Sequence, residues 1–302
     1  MLELNNLRFH LGVRMNGHPL IGIIGGSGLY GMEGLENIEK HEIQTPFGEP
    51  SSPIIVGGLE GKRVAFLARH GIGHTISPTN VNYRANIYAM KTMGVKFILS
   101  VSACGSLRED YAPGDIVVPD QLFDLTKNRK RSFFDKELVV HVDVADPFCT
   151  DFSNQILDAV GKTSATVHEG GTFITIEGPR FSTRGESNTY RSWGMSIIGM
   201  TTSPEAFLAR EAEICYGVLA HVTDYDVWHV TEEPVTVQQV IQTISGNTKI
   251  ADEAIRNLVS AIDVSKDCQH QNALADALIT NPNRVPPELV KNLDLLIGKY
   301  FK

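Results

Sequence analysis

Ile21-Gly22-Ile23-Ile24-Gly25-Gly26-Ser27-Gly28-Leu29-Tyr30-Gly31 is the stretch on which the reading of this chain turns. An apolar, β-branched run passes directly into clustered glycines, as a buried first strand does when it empties into a tight loop. Glycine accepts positive φ and has no Cβ to hold an anion away from the amide N–H groups. With the Ser27 hydroxyl in its middle, the loop reads as a phosphate site.

The letters Gly26-Ser27-Gly28-Leu29-Tyr30-Gly31 also fit the dinucleotide fingerprint G-x-G-x-x-G. That fingerprint requires a helix at the loop and a second strand ending in an acid about 20 residues on. Met32-Glu33-Gly34-Leu35-Glu36-Asn37 is too acidic and glycine-broken for such a helix. Thr45-Pro46-Phe47-Gly48-Glu49-Pro50 is a turn-rich loop rather than a buried strand. The nicotinamide reading is therefore set aside, and a turn without a ligand stands as the bland alternative.

Further apolar runs end in the same way. Residues 64–68 stop at Arg69-His70-Gly71-Ile72-Gly73-His74-Thr75, and 95–101 run into Ser102-Ala103-Cys104-Gly105-Ser106. Residues 116–118 form another strand, 171–176 lead into a polar loop around Phe181 and Ser182, and 196–200 lead to Thr201. The last run, 215–222, ends in Thr223-Asp224-Tyr225-Asp226. Helical periodicity falls at 83–93, 151–160, 186–193, 205–214 and from 235 onward. Strands alternating with helices predict an open α/β sheet, whose ligands gather at the strand ends. Residues 123–146 read as an excursion from that sheet, and His141 lies in it.

Several of these residues carry chemistry. Arg69 offers a guanidinium fork to a pair of phosphate oxygens, with His70 as a donor beside it. His70 and His74 have the spacing of zinc ligands on a helix, but Gly71 and Gly73 disfavour that helix and no third ligand follows. Arg-His-Gly also occurs in phosphohistidine phosphatases and mutases, where it closes the first strand rather than a later one. Phe181 is a platform for a flat ring. Strand alternation puts Asp224 and Asp226 on one face, about 6–7 Å apart. Near a dry pocket such a pair favours retention of a proton, so one acid can serve as a general acid near neutral pH. The ordinary alternative is a solvated turn with two acids.

The composition narrows the class. Of 302 residues, 42% are hydrophobic and 21% charged, as in soluble globular proteins. A net charge of −8 argues against nucleic-acid and membrane-surface partners, so an anionic substrate needs local help. The four cysteines, Cys104, Cys149, Cys215 and Cys268, are far apart without C-x-x-C spacing and read as buried, reduced thiols. Residues 1–20 lack the apolar core of a signal peptide, and no run of 18 apolar residues occurs. A soluble, cytoplasmic or nuclear protein is expected, a single domain over 1–302 with an N-terminal extension (1–19) and a C-terminal helical segment (265–302).

Taken together, six blocks resemble the trimeric purine nucleoside phosphorylase family, most closely its members acting on 5′-methylthioadenosine. They are Gly22-Ile-Ile-Gly-Gly-Ser-Gly28, Ala68-Arg-His-Gly71, Ala103-Cys-Gly-Ser-Leu-Arg108, Thr175-Ile-Glu-Gly-Pro-Arg-Phe-Ser182, Met200-Thr-Thr202 and Thr223-Asp-Tyr-Asp226, in the family's order. The resemblance implies an α/β fold with a mixed, partly closed central sheet flanked by helices. It implies phosphate held by Ser27, Arg69, His70, Ser102, Ala103 and Thr201, and ribose contact from Met200. Phe181, Ser182, Asp224 and Asp226 would form the purine pocket, with Asp224 protonating the leaving base. His74 and Val237 would line the alkylthio end, and His141 would reach in from a neighbour in a homotrimer. No metal or organic cofactor is implied, and inorganic phosphate is a co-substrate. Relatives acting on 6-oxopurines carry Glu and Asn where this chain has Ser182 and Asp224, so adenine is the expected base. The family usually has Thr at the positions of Ser27 and Ser102, and the segment beyond residue 264 matches poorly, which leaves activity on adenosine open. A hydrolytic nucleosidase, a nucleoside sensor without chemistry and a dinucleotide-dependent oxidoreductase are the rival readings.

Overall fold

The computed structural model describes residues 17–26, 32, 34–229, 237–265 and 268–301, with backbone alone for 237–248. Its strands are β1 (Ile21–Gly25), β2 (Glu36–His41), β3 (Ile54–Leu59), β4 (Lys62–Ala68), β5 (Phe97–Ser106), β6 (Ile116–Val118), β7 (Gln121–Asp124), β8 (Val167–Glu169), β9 (Thr172–Thr175), β10 (Ile197–Gly199) and β11 (Cys215–Asp224). The helices are α1 (Tyr83–Thr92), α2 (Thr150–Val160), α3 (Arg184–Ser192), α4 (Thr202–Glu211), α5 (Val237–Ala261), α6 (Pro287–Asn292) and α7 (Asp294–Ile297).

All strands belong to one 11-stranded mixed sheet, with the path β2-β3-β4-β1-β5-β10-β9-β7 and β11, β6 and β8 branching from β5. β1 runs parallel to both β4 and β5, and β11 runs parallel to β5 on its other side. These four strands therefore end at one edge. β5 outruns β1, and its last residues pair antiparallel with β10. From β11 the pairing continues to β6 and β8, which the chain extends into β7 and β9; β9 then pairs with β10, which returns to β5. The ladder thus closes on itself at one end of the sheet and stays open at the other. That is the mixed, partly closed sheet expected above.

Side-chain alternation explains the continuous apolar runs. Ile21, Ile23, Val64, Phe66, Phe97 and Leu99 join Phe152 and Ile156 of α2 and Ile255, Leu258 and Val259 of α5 in one core. Their neighbours Ile24, Ala65, Leu67 and Ile98 join Ile87 and Met90 of α1, Leu208 of α4, and Leu296 and Ile297 of α7 in the other. A strand covered on both faces has no polar side, so its sequence shows no period of two. Lys62 donates to the carbonyls of Val259, Ser260 and Ile262 at 2.7–3.0 Å, placing a cation at the C-terminal end of α5.

Four sequence expectations change. β2 and β3 flank the turn-rich loop over 45–50 and were not read as strands: β2 is a largely exposed polar edge strand, and β3 carries two glycines in its middle. β8 is too short to show a pattern. The excursion over 123–146 begins inside β7 rather than outside the sheet. Ser102 to Ser106 continue β5 instead of leaving it as a loop.

Candidate active site

The C-terminal edge of the parallel strands gathers the polar residues. At the end of β4, Arg69 is 2% exposed and its amide donates to the Gly25 carbonyl at the end of β1. Its guanidinium fork does not face open space. Nε and Nη2 grip Glu205 at 2.7 and 2.9 Å, Nη2 reaches Ser100 Oγ at 2.7 Å, and Nη1 reaches the Val101 carbonyl at 3.2 Å. The sequence reading of a fork reserved for phosphate is corrected to this extent: Glu205 takes the fork, leaving one Nη1 hydrogen for a ligand. Burial works against the guanidinium charge, but Glu205 outweighs it and raises the pKa further. Tyr216 donates to Glu205 Oε1 at 2.8 Å and completes the clamp.

His70 also differs from expectation. Nδ1 lies 2.8 Å from the Ile76 carbonyl, which can only accept, so Nδ1 carries the hydrogen. Burial, followed by the neighbouring Arg69 charge, pushes the ring down to about 4. The neutral ring is thus an acceptor at Nε2, not a donor. His74 is exposed, takes a left-handed φ of 57°, and stacks on His70 with ring centroids 4.3 Å apart. This stacking replaces the i, i+4 helical spacing.

Ser102 Oγ lies 3.3 Å from Thr201 Oγ1, joining β5 to the residue that precedes α4. Ala103 is the one exposed position in the described length of β5, so the strand is open to solvent at that point. Ser27 falls outside the described residues, as does the side chain of Val237, whose backbone opens α5.

Three residues beyond Ser102 on β5, Gly105 pairs with Asp224 across a register shift in β11. A Cβ at Gly105 would meet Asp224 Oδ1 at 2.9 Å and Asp226 Cβ at 3.3 Å, so only glycine leaves room for both acids. Asp224 accepts from the Thr223 hydroxyl at 2.6 Å and from the Asp226 amide at 2.8 Å. Burial raises Asp224 to about 6 against those two bonds, and the Asp226 charge adds to the rise. Alternation along a strand does not bring the acids together, contrary to the sequence reading. Asp226 sits beyond β11 in a turn with φ 52°, a conformation that aspartate tolerates because its side chain bonds locally. Burial raises Asp226 too, against the nearby Ser187 and Ser182 hydroxyls. Neither hydroxyl forms a well-directed bond, and Asp226 Oδ2 has no donor among the described residues. The group is set for a ligand hydrogen. Ser182 is buried, whereas Phe181 is 37% exposed at the rim.

Met200 follows β10, immediately before Thr201 and two residues after Ile198, which pairs with Gly105. A Cβ at Gly178, whose φ is +65°, would meet Met200 Sδ at 2.5 Å. The Met200 carbonyl accepts from Arg129 Nη1 at 2.7 Å. Arg129 was not singled out from sequence, yet it also donates to Ser203, Glu177 and Ile176 carbonyls and to the Glu177 carboxylate. Glu177 is held down to about 2, since the Thr79 hydroxyl and the Lys127 and Asn128 amides outweigh its burial. Glu205 was likewise read only as the start of a helix. His141 is exposed, with its amide donating to the Ala277 carbonyl.

The parallel edge thus holds paired hydroxyls and one free guanidinium hydrogen along β5 from the Asp224–Asp226 pair, an arrangement that suits a nucleoside-handling enzyme. Residues 20–262 match the Phosphorylase superfamily, and the chain belongs to that family. It is 52% identical to an S-methyl-5′-thioadenosine phosphorylase of Geobacter sulfurreducens, over 93% of this chain and 99% of that one. A methylthioadenosine phosphorylase structure from an antarctic soil metagenomic library superposes with a TM-score of 0.88 at 45% identity, over 93% of this chain and 99% of that one. The Schistosoma mansoni methylthioadenosine phosphorylase in complex with adenine has a TM-score of 0.79 at 33% identity, over 93% and 98% of the two chains. No helix among the described residues is long and apolar enough to cross a membrane.

Proposed function

We propose that the protein is a pentosyltransferase that cleaves 5′-methylthioadenosine with phosphate, giving adenine and 5-methylthioribose 1-phosphate. The observation that carries the reading is Asp224, a half-buried acid raised to about 6 at the end of β11 beside the buried Asp226. It lies three residues along β5, about 10 Å, from the Ser102–Thr201 pair.

A phosphate oxygen attacks C1′ as the bond from C1′ to the purine N9 breaks. Positive charge grows on the sugar, and the phosphate beside it stabilises that charge. The purine takes the bond's electron pair and is neutralised at N7 by the proton of Asp224. Asp226, with an acceptor free for a ligand, takes a hydrogen bond from the exocyclic amino group, which favours adenine over a 6-oxopurine. Arg69, Ser27, Ser102, Ala103 and Thr201 hold the phosphate in line. Neutral His70 accepts the single O–H of hydrogenphosphate at Nε2. Phe181 and Ser182 flank the base, Met200 meets the ribose, and His74 and Val237 line the alkylthio end. The chemistry needs no metal or organic cofactor. The family resemblance supports a homotrimer, working in the cytoplasm or nucleus on small-molecule substrates.

The deciding assay follows adenine release from 5′-methylthioadenosine with and without inorganic phosphate, beside adenosine and inosine. Release that requires phosphate, with inosine inert, is expected. Release without phosphate would make the enzyme a hydrolase and remove the roles given to Arg69 and His70.

A further inference from the structure

Three cysteines that sequence spacing keeps apart meet in the fold. Cys149 immediately precedes α2, Cys215 opens β11, and Cys268 stands two residues before His270 in the C-terminal segment. Their sulfurs and a ring nitrogen of His270 all lie within 4.8 Å of one another, and all four residues are buried. Cys149 Sγ and Cys268 Sγ are 3.3 Å apart and unbonded, and the cysteines are free thiols. The geometry points to a structural zinc site with a Cys3His donor set.

The donor set fits the ion. With Zn–S near 2.3 Å, a tetrahedral site spaces its ligand atoms about 3.8 Å apart, so small side-chain rotations suffice. Sulfur with one imidazole selects zinc over magnesium or calcium. Without a metal the pocket is awkward, since it buries three thiols, which are weak donors, against one another.

Charge supplies an independent argument. Arg210 is buried, and its guanidinium donates to the Asp143 and Asp146 carbonyls at 2.6 and 2.5 Å. Burial lowers its pKa; the Asp143 charge and, less strongly, the three cysteines act against that, though among the described residues no carboxylate lies within ion-pair distance of it. Three thiolates around Zn²⁺ carry a net charge of −1, which would add to that of Asp143 in balancing this guanidinium. Gln271 Nε2, 3.9 Å from Cys215 Sγ, adds a donor to one of the thiolates.

The ion would clamp the start of the C-terminal segment to the starts of α2 and β11. Cys215 and Asp224 stand at opposite ends of β11, about 30 Å apart, so the metal takes no part in the chemistry. The site is independent of the proposed substrate.

The test is elemental analysis of protein produced with zinc in the medium and purified without chelator. One zinc per chain is expected, released when a mercurial reagent titrates the thiols. Protein loaded with Co²⁺ alone should show the sulfur-to-cobalt charge-transfer band and the visible bands of a tetrahedral site. Cys149→Ser and Cys268→Ser should each lose the metal and lower the thermal midpoint. Should those variants fail to fold, the metal content of the unaltered protein still decides. Folded protein with background metal and freely titrating thiols, or with a Cys149–Cys268 disulfide, would overturn the proposal.

Discussion

Asp224 holds its proton more tightly in the folded chain, at about 6, than the 3.8 of an ordinary aspartate. Between those values the folded state binds more protons than the unfolded one, so stability falls as pH rises, and above 6 the whole cost is present. Asp224→Asn removes that cost but keeps only one of two acceptor oxygens for Thr223 and Asp226. The variant should gain about 1–2 kcal/mol at pH 8 and nothing at pH 4, measured by denaturant unfolding. Its kcat should fall about 100- to 10,000-fold. In the unaltered enzyme, kcat/KM for the nucleoside at saturating phosphate should decline above about pH 6, and the variant should lack that limb. A limb that survives the substitution would place the acid elsewhere. Asp224 was legible because an apolar strand ended in it. Its companions Glu205 and Arg129 were not, since Arg69 and Glu205 pair across 136 residues and no local pattern records such a distance.

Among the connecting elements, the segment after β7 was legible only as an excursion, because its order comes from one buried cation rather than from periodicity. Arg129 joins the loop after β9, the end of β10 and the start of α4 through bonds to the carbonyls of Glu177, Met200 and Ser203. Methionine would fill most of its volume and satisfy none of those groups. Arg129→Met is expected to destabilise the fold by about 3–5 kcal/mol, as when one partner of a buried ion pair is lost. In the fraction that folds, KM for the nucleoside should rise, since Met200 and the loop carrying Phe181 and Ser182 lose their common anchor. Unchanged KM in folded Arg129→Met would show that the network supports stability alone. The helices and the buried parallel strands were legible for the opposite reason: their packing partners are apolar and written in continuous runs, whereas β2 is an exposed polar edge strand and the short β8 pairs with β6 far back along the chain.

Taken as a whole, the molecule shows apolar surface beside His141. Val139 and Ile279 are 47% and 61% exposed and are joined by the Ile279 amide bond to the Val139 carbonyl. Val140 bridges Leu278, so the two stretches form one small ribbon with His141 at its margin. Two exposed β-branched side chains on a bonded ribbon suit contact with a second copy of this chain. In the homotrimer proposed above, that contact would carry His141 toward a neighbour's site. Light scattering should then give the mass of three 33.2 kDa chains. Val139→Asp with Ile279→Asp should shift the protein toward monomer. His141→Ala should keep the trimer and raise KM while kcat changes little, because the proton donor is Asp224 and His141 would only bind. Mixed trimers separate action within a chain from action across chains. Chains inactivated by Asp224→Asn, combined with His141→Ala chains, should regain sites with wild-type KM, because the acid and the histidine come from different copies. If no such sites form, His141 serves its own chain or none.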